Sequence, residues 1–243
     1  MTDSARRRLA RQISLIGEKA TERLISSSVL IAGIGGVGGH AADAIARMGV
    51  GRIVLVDNDT VSESNINRQM IATYGTVGRL KTEVMAERIR AINPDCDVLS
   101  LPLFITKENA SLILAESGAD AIIDAVDNVS AKIAMAVAAK EQGRYIFASM
   151  GTGNKINSAG FCVADIYSTS GCGLARVMRR ELKKRGIESL DVVYSREHFD
   201  TQSRQAAEDG ARVPASIAYM PAIAGLIAAE QVAKHLISKV SEQ

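Results

Sequence analysis

Gly33-Ile34-Gly35-Gly36-Val37-Gly38 sets four glycines within six residues, directly behind a β-branched run. Glycines let a backbone turn tightly and approach a phosphate. The helix they open offers unpaired N–H groups and partial positive charge to an anion. Asp57 ends the next β-branched run, near the ~20-residue spacing at which an acid can bind ribose hydroxyls. This pattern alone does not separate NAD from ATP. Arg68, Lys81 and Asp127 are the residues that bear on that choice. A triphosphate carries several negative charges, and a departing pyrophosphate needs cations, which Arg68 and Lys81 would supply by reaching back over the glycine turn. Asp127, at the carboxyl end of a strand, stands where Mg²⁺ would bridge phosphates. Each has a plainer reading alone: Arg68 and Lys81 as surface charges, Asp127-Asn128 as the cap of the next helix. Together, behind a glycine turn, they predict a cradle for ATP and Mg²⁺.

Those residues need strands and helices to bring them together. Ser28–Ala32, Arg52–Asp57, 97–103, Ala121–Asp124 and Tyr145–Ser149 read as strands. Helices are expected from the glycine turn through Met48, over 81–93 up to Pro94, over 109–117 and over 129–142. Strands alternating with helices predict an α/β fold with a Rossmann-like, doubly wound, mainly parallel sheet. Right-handed crossovers fix most of its topology. Beyond about residue 155 the pattern changes to a mixed extension. It holds strands at 159–166 and 190–194, a basic helix at 174–185, a polar mobile loop at 197–213 and a closing helix at 219–239. The whole chain, 1–243, is expected to form one domain: residues 1–150 as nucleotide-binding core, 151–243 as an extension for substrate and dimer contacts.

Composition narrows the function classes. The 47% apolar content suffices for one full core, and the scarcity of aromatics favours helices on a Val/Ile-rich sheet. A net charge of +2 means that any basic surface must be local. Cys96, Cys162 and Cys172 form no C-x-x-C pair and no disulfide framework, which fits a reducing cytoplasm. No signal peptide is visible, and the longest apolar stretch, 217–233, is broken by Pro221 and Glu230 and reads as a buried helix with no membrane role.

The chain resembles the ubiquitin-activating-enzyme-like (ThiF/MoeB) adenylating superfamily. The matching pieces are Arg11-Gln12, GIGGVGG at 33–39, DNDTV at 57–61, SNINRQ at 64–69, GRLK at 78–81 and DAVDN at 124–128. The resemblance implies that Asp57 holds the ribose, supported by Asp59, which can also serve a metal. It implies that Asn65 and Arg68 contact the triphosphate, that Lys81 stabilises charge at the α-phosphate and that Asp127 binds Mg²⁺. Arg11 would reach the neighbouring subunit's nucleotide in a homodimer. The second half, with DIYSTSGCGLARVMRRELKKRGI at 165–187 and PASIAYMPAIAGLIAAEQVAKHL at 214–236, is similar to the tRNA threonylcarbamoyladenosine dehydratases. That branch implies an ATP-driven loss of water from the threonylcarbamoyl group of a tRNA adenosine. The turn Gly171-Cys172-Gly173-Leu174 departs from it, since many relatives carry Pro there.

Two other functions compete. One is activation of the C-terminal glycine of a ubiquitin-like sulfur-carrier protein, with a sulfur-transfer or cysteine desulfurase partner. The other is an NAD-dependent oxidoreductase or a non-catalytic nucleotide-binding module. Arg176, Arg179, Arg180, Lys183, Lys184 and Arg185 form the densest basic cluster, read either as a solvated helix paired to Glu181 or, with the tRNA resemblance, as a contact for phosphates. Cys172 is either a reactive thiol or structural, and His40, His198 and His235 carry no acid–base role.

Overall fold

The computed structural model describes residues 1–197 and 214–238. Seven strands form one sheet in the order β3-β2-β1-β4-β5-β7-β6. In chain order these are β1 Ser28–Ala32, β2 Arg52–Val56, β3 Asp97–Leu101, β4 Ala121–Asp124, β5 Tyr145–Ser149, β6 Phe161–Asp165 and β7 Asp191–Ser195. All pairings are parallel except β6 with β7, in which Phe161 faces Ser195 and Asp165 faces Asp191. The expected doubly wound α/β fold with a mixed extension is therefore present, and the extension continues the same sheet.

Alternation along the central strands assigns the two faces. Val29, Ile31, Ile53 and Leu55 point into one core, Leu30, Ala32, Val54 and Val56 into the other. Both faces are covered, which is why these strands read as continuous apolar runs. On the first face lie α4 (Gly36–Arg47), α5 (Lys81–Ile92) and α9 (Tyr219–Ser238), whose residues share the first core. On the second lie α6 (Ala110–Ser117), α7 (Val129–Glu141) and α8 (Gly173–Lys183). Their ends fall within about two residues of the sequence expectation, the usual fraying of helix termini.

Three helices at the start carry little sequence signal: α1 Asp3–Arg8, α2 Ala10–Ile16 and α3 Glu18–Ile25. They are short and depend on caps and tertiary packing. The Thr2 hydroxyl accepts the Ala5 N–H at 3.1 Å, and α3 buries Ala20, Thr21 and Leu24. Of the polar loop expected at 197–213, all but Glu197 lies outside the described residues, as do His198 and Lys239. Glu197 is fixed: its carboxylate accepts the N–H groups of Ile156 and Asn157.

α9 sits directly on the glycine-loop helix. A Cβ at Gly225 would lie 2.3 Å from the Val37 carbonyl oxygen, so the two backbones meet with no room for a side chain. The far end of the chain thereby supports the element that opens the glycine turn. Among the described residues no helix is long and apolar enough to cross a membrane.

Candidate functional site

The glycine turn leaves β1 beside β4, where successive connections diverge to opposite faces and open a crevice at the carboxyl ends of the strands. The Gly33 N–H donates to Val56 and the Ala125 N–H to Ala32, both at 2.8 Å. Gly33 has φ +84°, and a Cβ there would meet the Ala125 carbonyl oxygen at 2.7 Å. Gly38 is tighter still: its Cβ would stand 1.7 Å from the Gly33 carbonyl oxygen. These two glycines close the turn. At Gly35 a Cβ would meet only Gln69, at 3.7 Å, so that backbone is open to an approaching group.

Facing the turn is a cavity of about 370 Å³, within the range of small-molecule sites. Gly33, Gly35, Gly36, Asp57, Asp59, Arg68, Lys81, Asp127 and Asn128 all line it. The two cations expected to reach over the turn line the same cavity as it. Lys81, almost buried at the start of α5, donates to Asp59 at 2.7 Å, and its own N–H donates to the Asp59 carbonyl. Asp59 thus holds the lysine. Arg68 is aimed by bonds from Nη1 to the Ser64 carbonyl (2.8 Å) and to the Asn67 side chain (2.9 Å).

Asp57 ties the turn to β2. One carboxylate oxygen accepts the Ile34 N–H at 2.6 Å, the other the Asp59 N–H at 2.8 Å. Burial pushes its carboxyl above the ordinary range, against the pull of both amides and of Lys81. Each oxygen keeps a further lone pair for a ligand hydroxyl. Asp127 is exposed at the cavity edge. Asn128 does both things the sequence left open: it lines the cavity and caps α7, accepting the Ala131 N–H at 3.0 Å.

Two expected residues lie elsewhere. Asn65 is not in the cavity wall; it is buried and accepts the Ser62 N–H, fixing the loop that carries Arg68. Arg11 is exposed on α2 and does not line this subunit's cavity.

Sequence reasoning missed several wall residues. Leu103 and Phe104 offer exposed apolar surface after β3, suited to a flat heterocycle. Thr152, Ser216 and Pro221 reach in from beyond residue 150, so the cavity draws on both halves of the chain. Asn67 donates to the Ser216 carbonyl at 3.2 Å and joins them. Gln69 belongs to the SNINRQ stretch, in which the resemblance implies roles only for Asn65 and Arg68. It is 7% exposed, and its Oε1 has no partner among the described residues. An orphaned buried acceptor in a cavity wall fits a ligand that brings a donor. Among the described residues no group of three or more His, Cys, Asp or Glu could hold a metal unaided. A lone Asp127 suits Mg²⁺, which is held through one or two carboxylates plus phosphate oxygens.

The basic helix is partly neutralised. Glu181 gathers Arg180, Lys184 and Arg185, and these bonds hold its carboxyl down at about 2. Arg179 turns one nitrogen, Nη1, back to the Thr169 carbonyl at 3.0 Å. Arg176 and Lys183 stay exposed with no carboxylate partner among the described residues. Cys172 is buried, against a reactive role, and burial, with the Asp97 charge, pushes the Cys96 thiol up to about 11. His40 packs behind the turn, its Nδ1 2.7 Å from the Gly36 carbonyl oxygen, and His235 stacks on Tyr145.

A glycine turn, an acid at the end of β2 and two cations around one cavity on a doubly wound sheet are features of a nucleotide-binding class. The chain belongs to the ThiF family, whose model matches residues 9–243. It is 37% identical over 236 residues to the tRNA threonylcarbamoyladenosine dehydratase of Bacillus subtilis, covering 93% of this chain and 92% of that one. It is 36% identical over 205 residues to the protein of the same name from Escherichia coli, covering 81% and 76%. Its fold matches the crystal structure of E. coli tRNA N6-threonylcarbamoyladenosine dehydratase, TcdA, in complex with AMP. That match has a TM-score of 0.91 at 31% identity and covers 100% of this chain and 98% of the other.

Proposed function

We propose that this chain is an ATP-dependent tRNA threonylcarbamoyladenosine dehydratase that acts by adenylating a carboxylate. The observation that carries this reading is the convergence of Arg68, Lys81 and Asp127 on the Gly33–Gly38 turn in one cavity. Likeness to the AMP complex over the full chain supports it.

A free carboxylate is a poor acyl donor because its oxygen leaves badly. In this site the threonyl carboxylate attacks the α-phosphorus of ATP, an acyl–O–P bond forms and the bond to pyrophosphate breaks. The open backbone at Gly35 and the start of α4 hold phosphate oxygens. Gly33 and Gly38 keep that turn closed. Arg68 and Lys81 oppose the negative charge that grows on the phosphates. Asp57 holds the ribose, Asp59 aims Lys81, Asn65 shapes the Arg68 loop, and Asn128 fixes the turn beyond Asp127. Asp127 would hold Mg²⁺, which would supply further neutralisation of phosphate charge. The carbamoyl group then attacks the acyl carbon, loses a proton and expels AMP, which carries off the former carboxylate oxygen. Holding both groups in one molecule supplies several kcal/mol through proximity, so no enzyme nucleophile is needed.

The extension, 151–243, takes the tRNA side of the reaction and a homodimer contact. The protein works in the cytoplasm. A sulfur-transfer or cysteine desulfurase partner gains little support, since Cys96 and Cys172 are buried and Cys162 is only partly exposed. Activation of a sulfur-carrier glycine is the weaker reading, because the likeness to the dehydratases extends through the second half.

The test is incubation with ATP, Mg²⁺ and tRNA bearing threonylcarbamoyladenosine, followed by nucleoside mass analysis. The expected product is lighter by one water. An unchanged nucleoside in the presence of bound ATP would overturn the proposal.

A further inference from the structure

We propose that Lys132 is a positioning residue for the nucleotide: its ammonium draws the Val126 carbonyl inward and so turns the Asp127 N–H out into the cavity as a hydrogen-bond donor. This rests on the ATP reading of that cavity.

Lys132 and Asp124 are both 0% exposed. The Lys132 ammonium stands 3.1 Å from an Asp124 carboxylate oxygen and donates to two backbone carbonyls, Val126 at 3.2 Å and Asp124 at 3.4 Å. The other Asp124 oxygen accepts the Val126 N–H at 3.2 Å. The pair therefore grips the turn that links β4 to α7 from beneath. Val126, Asp127 and Asn128, on that same turn, line the nucleotide cavity.

Burying an ion pair is expensive. Apolar residues of similar volume would often serve stability as well or better. What they could not do is hold a carbonyl pointing into the core. The Val126–Asp127 peptide is trans, so its C=O and N–H point in opposite directions. With the oxygen on Lys132, the Asp127 N–H faces away from the core, on the cavity side. Among the described residues it finds no backbone acceptor. An acceptor atom of the bound nucleotide completes it. Lys132 touches no ligand and acts only through this peptide.

The discriminating variant is the pair Asp124→Asn/Lys132→Met. It removes both buried charges, while the amide oxygen introduced at position 124 can still accept the Val126 N–H. A merely structural pair would leave ATP binding unmoved once the double variant folds with a near-wild-type melting temperature. The positioning role predicts instead that the Kd for ATP rises about tenfold, the loss of one hydrogen bond to a charged ligand. It also predicts that kcat stays within about threefold, because the lost bond is made equally in ground and transition states. Wild-type affinity in the folded double variant sinks the proposal. If the wild-type protein itself binds no ATP, it is the nucleotide reading that fails. Should the double variant not fold, the Asp127 amide resonance of the wild-type protein decides: it shifts on titration with AMP if the donor is used, and an unmoved resonance overturns the idea.

Discussion

At the scale of single residues, the proposed reaction puts its largest demand on Lys81 and Arg68. Each is pre-aimed by a named partner, Asp59 for Lys81 and Ser64 with Asn67 for Arg68, so neither has to reorganise when charge develops. Lys81→Met and Arg68→Ala should each lower ATP-dependent turnover by about 100- to 1,000-fold, or roughly 3–4 kcal/mol. The melting temperature should move little, because Arg68 is partly exposed and the carboxylate left behind by Lys81 is solvated. Single-turnover rates check this, and a loss below threefold in either variant would remove it from the reaction. The types and positions of these two residues were legible in the sequence. The partner that aims each was not, because Asp59 meets Lys81 only when the chain folds back across the loop between them.

The glycine turn and α8 show how elements transmit such effects. Gly38→Ala puts a methyl group into the Gly33 carbonyl. The helix must shift, at an overpacking cost of about 1–3 kcal/mol, and the phosphate end of the cavity shifts with it. The expected result is a lower melting temperature together with lost ATP binding. Gly118→Ala, at a helix end with φ +61° and open space around it, should lower only the melting temperature. Retained ATP affinity in Gly38→Ala would refute the link.

On α8, the Glu181 carboxyl is held at about 2, below its ordinary value of 4.5. Its contribution is therefore present in full above that ordinary value and is lost as the pH falls toward 2. Melting curves of wild type and Glu181→Gln should differ most near neutral pH and converge as the pH approaches that lower value; a constant gap would count against the ion cluster. Arg176 and Lys183 are the exposed cations of α8 with no carboxylate partner among the described residues, and they carry the proposed tRNA contact. Replacing both with Ala should weaken tRNA binding and lower its salt slope by about 0.7–0.9 per charge removed. An unaltered slope places the tRNA elsewhere.

For the molecule as a whole, the open question of position is Arg11. It stands on an exposed face of α2, away from its own cavity, which is where a residue serving a neighbouring subunit has to be. If two copies exchange it, Arg11→Ala should abolish turnover in a protein that still sediments as a dimer. Mixing that variant with Lys81→Met should then restore part of the activity, since one site in the mixed dimer keeps both residues. No recovery from a mixture shown to exchange subunits would confine Arg11 to a surface role.

The sequence by itself determined the parallel sheet, the glycine turn and the acid and cations that line the cavity beside it. Those depend on local spacing, on glycine geometry and on apolar runs that only a doubly covered sheet can bury. Tertiary structure alone decided three further things. It brought Thr152, Ser216 and Pro221 into a cavity whose glycine turn lies far earlier in the chain. It moved Asn65 from the ligand to the loop's own backbone and turned Arg179 inward. And it buried Lys132 against Asp124, a contact that no periodicity announces. A side chain's partner is set by how elements pack, and packing joins positions whose separation along the chain carries no signal.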